Sequence, residues 1–310
     1  MDALTTLLPV FIMIFLGLLS RIRGWITPEQ KAGANNIVFN ILFPVLIFNV
    51  LFTSTIESSA IFIVGYLFVV YILFMIIGKY FNKISKDKYS QFSHYLLTTV
   101  EGGNVALPLY TSIVGAAYAS NTVIFDLAGT IIAFIVIPVL VAKESSQQTS
   151  VKELVIKIVS NSFVIAVILG LSLNLLGVYE WLQGSQFIDM YSNTLSTIIS
   201  PITGMILFII GYDLKVDSKK IKSLLKLISL RVILYSFIIL GFFMLFPALM
   251  AEKTFMIAVL LYFMCPTGFA LPMIISPLYK DEDDSSFSSA YISLYMIITL
   301  IVYVCIVVLL

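Results

Sequence analysis

The sequence predicts an all-α polytopic membrane protein with ten transmembrane helices in a 5+5 inverted repeat. The first reason is composition: the 310 residues are 60% hydrophobic and 11% charged, with a mean hydropathy of +1.06. Soluble proteins are about 45–50% apolar and 25% charged, so a soluble core could not bury this much apolar surface. The second reason is that three short motifs recur in the same order in both halves of the chain. With a net charge of +1, no nucleic acid is expected as a partner.

Ten apolar stretches are long enough to cross a bilayer, which takes roughly 20 residues per helix. The loops between them are short, the longest lying near 143–156, which leaves no room for a soluble domain. The stretches are about 3–21, 34–55, 60–79, 92–116, 121–142, 157–177, 187–211, 226–249, 254–278 and 287–309.

The distribution of Lys and Arg predicts the orientation, because these residues accumulate in cytoplasmic loops. All but Lys253 fall on the odd-numbered loops, so these loops are predicted to be cytoplasmic and both termini outside, in the cell inner (plasma) membrane. The residues counted are Arg21, Arg23, Lys31, Lys79, Lys83, Lys86, Lys88, Lys143, Lys152, Lys157, Lys215, Lys219, Lys220, Lys222, Lys226, Arg231 and Lys280. Because Arg231 is counted with the seventh loop, no Lys or Arg is expected inside a span.

The internal repeat divides the chain into a first five-helix unit at 1–150 and a second at 151–310, together one integral membrane unit. Five helices is an odd number, so the second copy enters the membrane from the opposite side, as in many secondary transporters. The alternative is coincidence among glycines and prolines in ordinary helices. The matches are Leu16-Gly17-Leu18 with Leu169-Gly170-Leu171, Asn36 and Pro44 with Asn193 and Pro201, and Ala106-Leu107-Pro108 with Ala270-Leu271-Pro272.

Helices four and nine are predicted to be broken near mid-span. Proline removes a backbone donor and glycine disfavours helix, and the freed backbone groups must then face protein or a wet cavity. The half-helix ends would carry the partial charges needed to bind a solute. A simple packing kink is the alternative. The predicted substrate-binding residues are Gly103, Asn104 and Pro108 in helix four and Pro266, Thr267, Gly268 and Pro272 in helix nine.

Glu101 is the strongest single candidate for a functional residue. It follows Lys88 by 13 residues, which is about 20 Å along a helix at 1.5 Å per residue. A carboxylate at that depth is costly unless it is protonated, paired or bound to a cation. We therefore predict a proton or Na⁺ coupling site at Glu101, with Asn104 and freed carbonyl groups as further ligands. The alternative is a hydrogen-bonded structural glutamate.

Three further polar residues complete the candidate site. Asn36 and Asn40 lie four residues apart on one face of helix two, where they either line the substrate site or bond neighbouring helices. Asp126, near the outer end of helix five, is either a second coupling carboxylate or an interfacial residue.

The acidic run Asp281 to Asp284 is interpreted as a solvated loop.

The chain resembles the auxin efflux carrier family. The resemblance rests on Gly17 to Gly24 with Thr27-Pro28-Glu29-Gln30, on Asn40-Ile-Leu-Phe-Pro44, on Cys265-Pro266, and on Ser276-Pro277-Leu278-Tyr279 before the acidic loop. The short loop at 143–156 is similar to that of bacterial members. The resemblance implies a five-plus-five repeat, a crossover of helices four and nine at the substrate site, organic anions as substrates, and a homodimer. Glu101 departs from it, since the family often has Asn in the corresponding region of helix four.

These observations predict a secondary transporter of a small organic acid. No cofactor is expected apart from H⁺ or Na⁺ as the coupling ion, and the unit that contains the crossover is expected to move against the remaining helices. The added charge of Glu101 opposes plain anion binding, so a proton or cation is expected to accompany the anion unless the substrate is not a simple anion. The alternative is a membrane module that senses a ligand or lipid without moving it. An enzyme is not expected, because the sequence lacks GxSG, GxGD and HExxH arrangements.

Overall fold

A computed structural model describes residues 3–53, 58–85, 87–145, 156, 160, 162–213, 220–269 and 271–309. These residues form helices and turns, with no strand among them. The predicted repeat boundary at 150 and 151 lies outside the described residues, as do most of the loop at 143–156 and Lys86, Lys152, Lys157, Lys215 and Lys219.

The helices vary in length from four to 28 residues. In chain order the α-helices are α1 (Ala3–Ile22), α2 (Pro28–Ile37), α3 (Phe43–Thr53), α4 (Ser58–Ser85), α5 (Ser93–Leu96), α6 (Leu107–Val114), α7 (Ser120–Ile131), α8 (Ile137–Glu144), α9 (Ser162–Leu175), α10 (Val178–Gln183), α11 (Ile188–Asp213), α12 (Ile221–Leu245), α13 (Pro247–Met250), α14 (Lys253–Tyr262), α15 (Leu271–Ile274) and α16 (Glu282–Leu309).

Six helices in the described part of the chain are long and apolar enough to cross a membrane. They are Pro28–Thr53, Ala60–Ser85, Ser120–Glu144, Ile188–Ile209, Ile221–Leu245 and Asp283–Leu309. Shorter apolar helices cover Leu8–Ile22, Val164–Leu175 and Lys253–Tyr262. The predicted fourth and ninth spans are not among the six because each is interrupted. The count of ten spans therefore stays a prediction.

Three short π-helical turns precede prolines in a regular way. The turns Val38–Leu42, Gly102–Ala106 and Ile132–Val136 each end two residues before a proline, which is Pro44, Pro108 or Pro138. A proline cannot donate to the carbonyl four residues back, and its ring clashes there, so the preceding turn widens. The helix continues past the proline without a sharp stop.

The described residues form two compact units, and neither unit is one half of the sequence. The paired-helix unit comprises 2–58 and 155–213, and the broken-helix unit comprises 59–154 and 214–310. Each unit therefore takes segments from both predicted repeats. The two units neither confirm nor exclude the inverted repeat, which stays a prediction from the sequence.

Close backbone contacts hold the paired-helix unit together. A Cβ atom on Gly17 would lie 1.9 Å from the carbonyl oxygen of Phe208, and one on Gly211 would lie 1.8 Å from that of Ile14. Helices α1 and α11 can thus approach this closely only because both positions lack a side chain. In the same way Gly170 of α9 lies against α3, where an added Cβ would be 2.9 Å from the oxygen of Phe48.

The broken-helix unit has an aromatic core. Phe125 of α7 lies at its centre, with ring centroids 5.2 Å from Tyr262, 5.4 Å from Phe242 and 5.6 Å from Phe255. All four side chains are buried. This packing joins α7, α12 and α14, which surround the two interrupted segments.

The acidic run Asp281 to Asp284 lies at the start of α16 and takes part in ion pairs, so its interpretation as a solvated loop is wrong. Lys88 Nζ lies 2.7 Å from Asp281 Oδ2 and 3.9 Å from Asp284 Oδ1, and Lys220 Nζ lies 3.1 Å from Asp283 Oδ1. Asp284 is fully buried. The run therefore joins the start of α16 to the segments that precede α5 and α12.

We expect the Lys88–Asp281 pair to give a small pH-dependent stabilisation. The hydrogen bond from Lys88 lowers the pKa of Asp281 and raises the pKa of Lys88. The aspartate's contribution is present above its ordinary pKa of about 4 and is lost as pH falls through the lowered value, whereas the lysine's is lost as pH rises through the raised value. Asp281→Asn should therefore lower the melting temperature slightly at pH 7. A difference from wild type that does not shrink as the pH falls through the lowered pKa of Asp281 would contradict this.

Candidate functional site

Helix four is interrupted between α5 and the π turn that begins at Gly102. Residues 97–101 leave the helix, and Thr99 has a φ of 60°, in the left-handed region. A β-branched residue is strained in that region, typically by about 1–3 kcal/mol, and persists there only when its surroundings hold it. The break is thus a fixed feature of the structure.

Helix nine is interrupted after α14 ends at Tyr262. Residues 263–269 form turns and bends, Ala270 is not described, and a short helix resumes at Leu271. Pro266 and Thr267 at the centre of the break are buried. The proline and glycine pattern thus predicted the break in helix nine at the right place. In helix four the break at 97–101 lies just before Gly102 and Gly103, which are helical together with Pro108.

The two breaks are hydrogen-bonded to each other within the broken-helix unit. The Glu101 amide donates to the Pro266 carbonyl at 2.7 Å, and the Thr267 hydroxyl donates to the Thr98 carbonyl at 3.0 Å. The hydroxyl oxygens of Thr99 and Thr267 are 3.3 Å apart. Backbone groups released by each break are therefore satisfied by the other, as burial requires.

Glu101 lies where the two breaks meet. Only 8% of the residue is exposed, and its Oε2 accepts a hydrogen bond from the Phe269 amide. It immediately precedes the helical segment 102–114, whose free amide groups carry partial positive charge. An ionised side chain is therefore supported here by backbone dipoles.

Asp126 of α7 lies beside the same segment. A Cβ atom on Gly102 would be 2.0 Å from Asp126 Oδ1, so the carboxylate packs directly against the glycine. The Tyr262 hydroxyl donates to Asp126 Oδ1 at 2.7 Å. The structure thus places Asp126 against the residue that follows Glu101, and its role as a second coupling carboxylate stays a prediction.

The other predicted residues divide between the two units. Gly103 and Pro108 are buried in the broken-helix unit, Gly268 and Pro272 are partly exposed there, and the side chain of Asn104 lies outside the described part. Asn36 and Asn40 belong to the paired-helix unit and are exposed. Their part in substrate binding stays a prediction.

Arg231 is the main residue that the sequence prediction missed. The expectation that no Lys or Arg lies inside a span is wrong, because Arg231 is in the interior of α12 and has 0% exposure. Its Nη1 donates to the Leu96 carbonyl at 3.1 Å, and its Nη2 donates to the carbonyls of Thr99 at 2.8 Å and Cys265 at 3.1 Å. A single guanidinium therefore bonds both breaks.

A signal for Arg231 was present in the sequence. It lies five residues inside the predicted span 226–249, yet it was counted with the preceding lysines as a loop residue. A basic residue inside an apolar stretch is a candidate functional residue by default. Without Arg231 the odd-numbered loops still contain far more Lys and Arg than the even-numbered loops, so the predicted orientation does not change.

The helices and the site together define the class of protein. Interrupted helices that meet around buried charged groups are common in membrane transport proteins. A family model described as membrane transport protein matches residues 2–310, and the chain therefore belongs to this family, which confirms the auxin efflux carrier resemblance. The comparison with curated proteins gives no match. The family is one of transporters and not of enzymes, and the chain is a multi-pass membrane protein.

Proposed function

We propose that the protein is a secondary carrier of a small organic acid, coupled to protons through Glu101. The observation that supports this most directly is the position of Glu101. Its carboxylate is buried at the meeting point of two interrupted helices and accepts a backbone amide of the opposite break. A buried carboxylate at such a point is where a carrier can bind and release a proton together with its substrate.

Charge at the breaks supports an anion as the substrate. The Arg231 guanidinium donates to the carbonyl of Cys265, and the Glu101 carboxylate accepts the amide of Phe269, so the two opposite charges both bond backbone groups of the break in helix nine. When Glu101 is ionised the charges offset one another. When it is protonated the fixed guanidinium charge and the amide end of segment 102–114 favour an anion. Proton and anion binding would then be linked.

The carbonyl groups at the breaks favour a proton over Na⁺ as the coupling ion. The carbonyls of Leu96, Thr99 and Cys265 accept hydrogen bonds from Arg231, and the carbonyl of Thr98 accepts one from Thr267. Freed carbonyl groups at the breaks are the further ligands expected for a cation at Glu101. Because these carbonyl groups already accept hydrogen bonds from the protein, they are less available to coordinate Na⁺. A proton on the Glu101 carboxylate is therefore the first candidate for the coupling ion, and Na⁺ at Glu101 is the second.

The proposal includes ten spans in a 5+5 inverted repeat, 1–150 and 151–310, with both termini outside the inner membrane and a homodimeric assembly. Contacts in the paired-helix unit support the repeat. Gly17 of the first predicted span lies against the seventh, and its counterpart Gly170 of the sixth lies against the second. Two repeats related by a pseudo-two-fold axis in the membrane plane would make this pair of reciprocal contacts. The broken-helix unit is proposed as the moving part.

Reconstitution tests the transport proposal. Purified protein in vesicles is offered a panel of labelled carboxylates and amines, with an imposed pH gradient, an imposed Na⁺ gradient or neither. We expect one or more carboxylates to accumulate with the pH gradient. Accumulation with the Na⁺ gradient alone would transfer the coupling role to Na⁺, and binding of a panel compound without accumulation would favour the sensing module.

A further inference from the structure

The first halves of helices four and nine direct their carbonyl ends to one place. Leu96 is the last residue of α5 and Thr99 follows it in the break, while Cys265 follows the end of α14. The last carbonyl groups of a helix have no partner within it and carry partial negative charge. Two such ends in a buried position attract a cation, and in carriers with interrupted helices they often coordinate the coupling ion.

The side chain of Arg231 fills that position. Its two η nitrogens donate to three carbonyl oxygens at 2.8–3.1 Å, two from helix four and one from helix nine. The guanidinium carbon lies 4.0 Å from the ring centroid of Tyr235 and 5.1 Å from that of Tyr295. The cation is therefore bounded by carbonyl groups and by two aromatic rings, both of which attract positive charge.

Tyr235 reinforces the same arrangement. Its hydroxyl donates to the Thr99 carbonyl at 2.8 Å, beside the bond from Arg231 Nη2. Arg231 and Tyr235 are four residues apart on α12, which places both on one face of the helix. Helix α12 thus donates two hydrogen bonds to the carbonyl of Thr99, the strained residue in the break of helix four.

From this geometry we propose that Arg231 is the built-in cation of the crossover. It is a positioning residue: it neutralises the carbonyl ends of both half-helices and holds the two breaks against each other. A guanidinium stays charged at any physiological pH, so the position is permanently occupied by a positive charge. An inorganic cation is excluded from these carbonyls while Arg231 is present. This inference does not depend on the identity of the substrate or on proton coupling through Glu101.

Removing the side chain should open a cation site. In Arg231→Ala the three carbonyl groups lose their donor, and we expect the melting temperature to fall by roughly 10 °C, since hydrogen bonds to charged donors are stronger than those between neutral groups. Millimolar guanidinium or methylguanidinium should restore a measurable part of that loss in Arg231→Ala and none in wild type. Na⁺ should also stabilise Arg231→Ala more than choline does, by a larger margin than in wild type.

The matched control is Arg21→Ala in the paired-helix unit. Arg21 also donates to a carbonyl, that of Tyr212 at 2.7 Å, but it bonds one helix end and is only part-buried. Its variant should lose less stability and gain nothing from guanidinium. A loss no larger in Arg231→Ala than in Arg21→Ala, or no response of Arg231→Ala to any cation, would overturn the proposal.

Arg231→Lys provides the test if the alanine variant does not fold. An ammonium keeps the charge but cannot reproduce the planar fork that reaches three oxygens. Amide hydrogen exchange of the segments 97–101 and 265–269 should be at least about tenfold faster in Arg231→Lys than in wild type, with α1 unchanged. Unaltered exchange in both segments would show that Arg231 does not hold the breaks together.

Discussion

Replacing Glu101 by glutamine is expected to abolish proton-driven accumulation of the carboxylate that the wild type carries. The glutamine side-chain oxygen can still accept the Phe269 amide, so the contact between the two breaks is kept. What is lost is the ability to bind and release a proton at that point. Without coupling the imposed pH gradient no longer drives the substrate, so the accumulation ratio should fall to that measured with no gradient. The measurement is uptake into vesicles across a series of pH and Na⁺ gradients.

The matched control for Glu101→Gln is Glu252→Gln. Glu252 is an exposed glutamate that precedes α14 in the same unit, so its replacement removes the same charge away from the breaks. It should leave both the rate and the pH dependence of uptake unchanged. Coupling that survives in Glu101→Gln would disprove the role of Glu101, and loss of coupling in Asp126→Asn alone would assign the role to Asp126.

The second large effect is expected at the α1–α11 contact. Gly17→Ala and Gly211→Ala each add one methyl group where backbone oxygens of Phe208 and Ile14 already lie within 2 Å of the new atom. Because the obstacle is backbone, the two helices must separate. Overpacking of this kind costs typically 1–3 kcal/mol and sometimes more, and we expect about 3 kcal/mol or failure to fold for each variant. Thermal unfolding of the purified protein measures it.

Gly65→Ala is the control for the glycine variants. Gly65 lies in α4 and is exposed, and nothing lies within 4 Å of an added Cβ atom there. The same substitution should therefore be neutral or stabilise α4 by up to about 1 kcal/mol, the usual helix propensity difference. Equal destabilisation at Gly65 and Gly17 would mean that close packing is not the cause.

Local chemistry explains which features could be predicted from the sequence. Membrane crossing follows from composition, and the break in helix nine follows from Pro266 and Gly268, which act on the backbone within one turn. The break in helix four lies next to Gly102 and Gly103 but contains neither of them, so its position at 97–101 was not predicted. Glu101 was identifiable because a carboxylate in an apolar stretch is rare and costly. The same reasoning identifies Arg231 as a candidate. It was missed because the lysines that precede it led to its being counted as a loop residue.

The amino-acid sequence by itself determined that the chain is helical and apolar, that helices four and nine break, and that Glu101 lies at one of the breaks. Only the tertiary structure decided that Glu101 meets Pro266 and Phe269, that Asp126 packs on Gly102, and that Arg231 bonds both breaks. Arg231 is 132 residues from Thr99 in sequence. A helix ends for reasons found within a few residues of its end, whereas the partner of a freed carbonyl is set by the packing of distant helices.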